Sequence, residues 1–124
     1  MADEDTSIDT VIERELGPGE RHVRGLGRIR VYVDNRLVDD VIVDRRAFTI
    51  GRSLDCTLVL EDKAASRIHA QIATVRDTRD LTIQDLGSAN GTKVNGARIT
   101  KKLLEHNDKI RIGDTILRYS RLGG

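Results

Sequence analysis

Three short polar stretches carry the residue types with chemical potential: Gly51-Arg52, Ser66-Arg67-Ile68-His69, and Gly87-Ser88-Ala89-Asn90-Gly91. None pairs a nucleophile with a base, so covalent or acid–base catalysis is not expected. Together they supply two guanidiniums, a hydroxyl and an Asn-Gly turn with free backbone N–H groups. That is the inventory of an oxyanion receptor. Arginine's planar fork meets a phosphate bidentately, and a hydroxyl serves a third oxygen. Each stretch is common in isolation; their order and spacing carry the information.

Other chemistries fit poorly. "GSANGTK" lacks the Gly-Lys-Ser/Thr ending of a nucleotide-cradling loop, and no helical segment follows it. His22, His69 and His106 are too scattered to suggest a metal site, and no cofactor is expected. Asn90-Gly91-Thr92 matches a glycosylation triplet, which has no meaning in a cytosolic protein. Cys56 is the single cysteine, which excludes an intrachain disulfide and suits a reducing compartment. Its setting, "DCTLVL", reads as a small, half-buried strand position.

The elements that must hold these stretches are short. From residue 28 onward, apolar segments of four to eight residues recur between turn residues: "RIRVYVD", "LVDDVIV", "AFTIG", "TLVL", "IHAQIATVR", "LTIQDL", "KIRIG" and "TILRYSRL". Ile29, Val31 and Val33 alternate with polar residues, and Asn95-Gly96 is a strong hairpin signal. The pattern predicts an all-β sandwich with an aliphatic core, since Phe48, Tyr32 and Tyr119 are the only aromatics. All three polar stretches then lie at strand ends, so their loops are expected at one rim. Residues 1–27 read as an acidic arm and linker, with Ile8, Val11, Ile12 and Leu16 at helical spacing before Gly17-Pro18. Residues 28–122 read as the domain.

A chain of 124 residues can bury one such core. Its 21 Lys plus Arg against 20 Asp plus Glu leave a net charge of +1, too little for a duplex nucleic-acid binder. Three aromatics leave little base-stacking surface. An acidic N-terminus and the lack of a long apolar run predict no secretion signal and no membrane partner, hence a cytoplasmic protein. A monomer is expected.

With its motifs in order, "IGRSLDCTLVLEDKAASRIHAQI" followed by "DLGSANGTKVNG", the chain resembles a forkhead-associated (FHA) domain over about residues 28 to 122. The resemblance implies a β-sandwich of about eleven strands whose apical loops bind phosphothreonine in an extended partner peptide, downstream of a Ser/Thr kinase. It implies that Arg52 clasps the phosphate, that Ser66 donates its hydroxyl, and that Arg67 adds a second contact. Asn90 would hydrogen-bond the peptide's main chain, and His69, Gly51 and Gly91 would brace the loops. Ala89 departs from the pattern, standing where many members carry Ser or Thr. Its backbone N–H is expected to serve instead, with Ser88 one residue out of register and pointing elsewhere. The resemblance also makes Thr6 and Thr10 of the arm candidate phosphorylation sites that the domain could bind in turn. The alternative function is a sandwich that scaffolds partners without phosphate, through a sheet face.

Overall fold

The computed structural model describes residues 25–123. The arm lies almost wholly outside them, and so do Thr6 and Thr10. Eleven strands run in chain order: β1 (Gly27–Val33), β2 (Arg36–Val43), β3 (Phe48–Gly51), β4 (Leu58–Val59), β5 (Ala70–Thr74), β6 (Leu81–Asp85), β7 (Thr92–Val94), β8 (Ala97–Ile99), β9 (Lys101–Leu103), β10 (Lys109–Ile112) and β11 (Thr115–Arg121). No helix is found among the described residues, so none there is long and apolar enough to cross a membrane.

Two sheets form a sandwich. One has strand order β2-β1-β11-β10-β7-β8 and the other β4-β3-β5-β6-β9. All pairings are antiparallel except β3 with β4. The sheets follow from period-two alternation. In β1, Gly27, Ile29 and Val31 are buried while Arg28, Arg30 and Tyr32 face outward. In β10, Ile110 and Ile112 are fully buried between exposed Lys109 and Arg111. The core is aliphatic as expected, with Ile50, Ile72, Leu81, Ile83 and Leu117 at its centre and Tyr119 and Phe48 as its aromatics.

Hairpin chemistry sets the register. Asp34-Asn35 joins β1 to β2, and Asn95-Gly96 joins β7 to β8. Both pairs have positive φ at each central residue (51° and 65°, 52° and 88°), the type I′ turn that matches strand twist. The loops after β3, before β5 and after β6 emerge at the same end of the sandwich, because β3 and β6 both run antiparallel to the intervening β5. That topology brings positions 52, 66 and 89 to one rim.

Candidate functional site

Gly51 ends β3 and Arg52 opens the following loop. The 52–57 loop is laid against the 64–67 segment by two backbone bonds, Arg52 N–H to the Ser66 carbonyl and Ser53 N–H to the Arg67 carbonyl, each 3.0 Å. This approach is possible only without a side chain at 51. A Cβ there would sit 2.2 Å from the Arg67 carbonyl oxygen. Cys56 is buried in the same loop, not in a strand, and its thiol donates to that carbonyl at 3.3 Å. The expected half-buried strand position is therefore a buried loop brace.

Arg52 is exposed, and its Nε donates to the Ala65 carbonyl at 3.1 Å. That bond fixes the plane of the guanidinium while Nη1 and Nη2 find no acceptor among the described residues. An unpaired cation, anchored by one nitrogen and presenting two others, is prepared for a bidentate oxyanion.

The second and third stretches are locked by His69, which is fully buried. The Ser66 N–H donates to His69 Nδ1 at 2.9 Å, so that nitrogen carries no proton. The proton must then be on Nε2, which donates to the Gly91 carbonyl at 2.9 Å. The neutral imidazole thus joins two loops through their main chains. Above it, the Ser66 hydroxyl oxygen accepts the Ala89 N–H at 2.9 Å, and Asn90 Nδ2 donates to the Ala64 carbonyl at 2.9 Å. Ser66 keeps its own O–H free to donate outward.

These contacts bring Arg52, Ser66, Ala89 and Asn90 together around one exposed surface. Arg67 is exposed nearby, and no side-chain bond holds it among the described residues. Two details differ from the sequence reading. The Ala89 N–H is already spent on Ser66, so it must be released before it could meet a ligand. Asn90 uses its amide nitrogen within the protein, leaving Oδ1 as its outward group.

Ser88 turns away from this surface, as its register suggested, and points into the turn. Its hydroxyl donates to Asp85 at 2.5 Å and accepts the Gly91 N–H at 2.9 Å. Asp85 also accepts the Ser88 and Gly87 N–H groups and the Thr92 hydroxyl, so one carboxylate organises the whole 85–92 turn. Burial pushes this carboxyl up, but the hydrogen bonds from the Ser88 and Thr92 hydroxyls and the Ser88 N–H, taken together, hold it below the usual carboxylate range. Asp62 does the same for a second pair of loops. It accepts from the Ala64 and Asp114 N–H groups and from the Thr115 hydroxyl, each at 2.8 Å. The only legible signal was the place of Asp85 at a strand end before turn residues, and of Asp62 in the loop after the apolar run "TLVL", positions that favour local side-chain-to-backbone bonding.

An eleven-stranded, two-sheet sandwich with Gly-Arg, Ser-x-x-His and Asn-Gly loops stitched at one end is the arrangement of a forkhead-associated domain. The family model for the FHA domain matches residues 48–113, more than half of the chain, and the chain belongs to that family. It is 38% identical over 80 residues to human "Angiogenic factor with G patch and FHA domains 1", a match covering 57% of this chain and 11% of that protein. It is 33% identical over 101 residues to the FHA domain-containing protein FhaB of Mycobacterium tuberculosis, covering 80% of this chain and 64% of that one. The chain thus spans about a tenth of the first relative's length. Among solved structures, an FHA domain studied for phosphothreonine-dependent FHA domain interactions superposes with a TM-score of 0.71 at 25% identity. That match covers 80% of this chain and 99% of the other.

Proposed function

We propose that this chain is a phosphothreonine-dependent interaction module that binds an extended peptide of a partner protein after a Ser/Thr kinase has acted on it. The observation that carries this reading is the Arg52 guanidinium, tethered through Nε to Ala65 with both Nη groups open, beside the outward-free Ser66 hydroxyl. In this reading Arg52 takes two phosphate oxygens, Ser66 donates to the third, and Arg67 swings in from solvent. Asn90 offers Oδ1 to a peptide N–H while its Nδ2 holds the loop. The FHA domain of similar structure, studied for phosphothreonine-dependent interactions, supports the choice of phosphoamino acid.

The energetics are sufficient. A phosphothreonine brings about −1.5 to −2 charges and three acceptor oxygens. Charge-assisted hydrogen bonds contribute on the order of 1.5–3 kcal/mol each. After desolvation and peptide ordering, a net near −8 kcal/mol corresponds to roughly micromolar affinity. The test is calorimetric titration with a phosphothreonine peptide and its unmodified twin, repeated with Arg52→Ala. Micromolar binding of the first alone, lost in the variant, is expected. Equal binding of both peptides, or survival of binding in Arg52→Ala, would sink this reading and favour the phosphate-independent scaffold.

A further inference from the structure

The outward face of the six-stranded sheet carries a row of cations that packing does not require. Arg98 on β8 stands directly opposite Lys93 on β7, and Lys93 directly opposite Arg111 on β10. Like charges placed across from one another destabilise a sheet. All three are exposed, as is Lys109 two residues before Arg111. Among the described residues, the side chains of Lys93, Arg98 and Lys109 have no hydrogen-bond or ion-pair partner. Arg111 is tied only at its rim, to the Gly113 carbonyl at 3.0 Å and to exposed Asp114 at 3.5 Å. Asp108, the nearest carboxylate in sequence, is buried and occupied by Asn95, Lys102 and the Glu105 N–H. In a chain of net charge +1, this is a local excess of positive charge.

The row has a shape and a starting point. A shallow depression of about 210 Å³ is lined by Asn90, Gly91, Lys93, Arg111 and Gly113. It adjoins a second of about 460 Å³, lined by Lys93, Asn95, Gly96, Lys109 and Arg111. The two share Lys93 and Arg111 and form one trough along β7 and β10. Its upper end is the Asn90-Gly91 turn of the candidate site, where the Arg98 guanidinium lies 2.7 Å from the place a Gly91 Cβ would occupy.

We infer that this trough receives an acidic stretch of the same phosphorylated partner chain, so that Lys93, Arg98, Lys109 and Arg111 select peptides whose phosphothreonine is flanked by Asp and Glu. The inference rests on the phosphothreonine reading and adds a specificity to it. An extended peptide crossing the loops at Asn90 continues over the sheet face, where carboxylates find unpaired ammonium and guanidinium groups. Rim charges of this kind act on encounter rate and partner choice, and salt weakens them.

The test uses phosphothreonine peptides that differ only in their flanks: four acidic residues before, four after, or neutral residues throughout. Binding is measured by fluorescence anisotropy at low and at physiological salt, on the wild type and on a triple variant, Lys93→Gln, Arg98→Gln, Lys109→Gln. Arg111 is kept because it ties the turn at Gly113. One acidic flank should bind about tenfold tighter than the neutral peptide, the sum of a few exposed ion pairs. That advantage should shrink with salt and vanish in the triple variant, which must bind the neutral phosphopeptide as the wild type does. Neutral-peptide binding with no gain from either flank would overturn the trough and leave the phosphothreonine reading standing. Failure of every phosphopeptide would overturn both. Displacement of the acidic peptide by an equally charged single-stranded oligonucleotide at the same concentration would assign the trough to nucleic acid and overturn it as a peptide site.

Discussion

The Nε2–H of His69 meets the carbonyl of Gly91 at 2.9 Å, with the imidazole fully buried between the second and third binding loops. Because Nδ1 of the same ring accepts the Ser66 N–H, one side chain satisfies a main-chain group on each loop.

His69→Ala should therefore damage stability and binding together. It leaves a half-buried N–H and a buried carbonyl without partners and opens a cavity, a cost of roughly 3 kcal/mol. For a domain of this size the melting temperature should fall by about 10–20 °C. Phosphopeptide affinity should drop as well, since Ser66 and Gly91 are no longer held to one another. A variant that melts with the wild type would show that the ring is not the brace.

Gly51→Ala should be among the most damaging single-methyl additions in the domain. Its Cβ would lie 2.2 Å from the Arg67 carbonyl oxygen, a backbone atom that cannot move without pulling Ser53 and Cys56 with it. The overpacking should cost at least about 3 kcal/mol. Thermal melting checks this, and a shift under about 2 °C would contradict the packing.

Ala89→Ser should strengthen phosphopeptide binding. The alanine N–H is committed to Ser66 Oγ, so this position offers a ligand nothing until that bond opens. A hydroxyl would add a donor at an exposed site without disturbing the bond. One added charge-assisted bond of about 1.4 kcal/mol corresponds to a tenfold tighter complex. Titration of a single phosphopeptide against both proteins decides it, and unchanged affinity would place residue 89 away from the phosphate.

Acid should weaken the fold through three aspartates. Burial pushes Asp62, Asp85 and Asp108 up, yet their hydrogen bonds, joined at Asp108 by the Lys102 ion pair, hold all three carboxyls below the ordinary range. A carboxyl lowered in the folded state contributes stability that is fully present above its unfolded value near 4 and is lost as pH falls through the folded value. Urea midpoints should fall steeply below about pH 4. Asp62→Asn should flatten part of that fall, and a wild-type midpoint constant down to about pH 3 would exclude the linkage.

Much of this architecture is legible in the one-dimensional chain because its causes are local. Alternation in "RIRVYVD" and "KIRIG" is set by strand geometry, and Asn95-Gly96 between two apolar runs favours the positive φ of a two-residue turn, so strands and hairpins can be read residue by residue. The order of Gly51-Arg52, Ser66, His69 and Asn90-Gly91 carries the family pattern for the same reason.

Only the folded molecule decides which groups remain open. Ser88, which the register turned away from the site, is drawn inward because Asp85 collects four donors. The Ala89 N–H is taken by a hydroxyl 23 residues away, and Arg52 is aimed by a carbonyl 13 residues away. The cation row at Arg98, Lys93 and Arg111 exists only once β8, β7 and β10 lie side by side. Such pairings depend on distances fixed by packing the two sheets on one core, and no neighbour in the chain can specify them. Sequence therefore names the chemical groups, while tertiary contacts choose which stay free to meet a ligand.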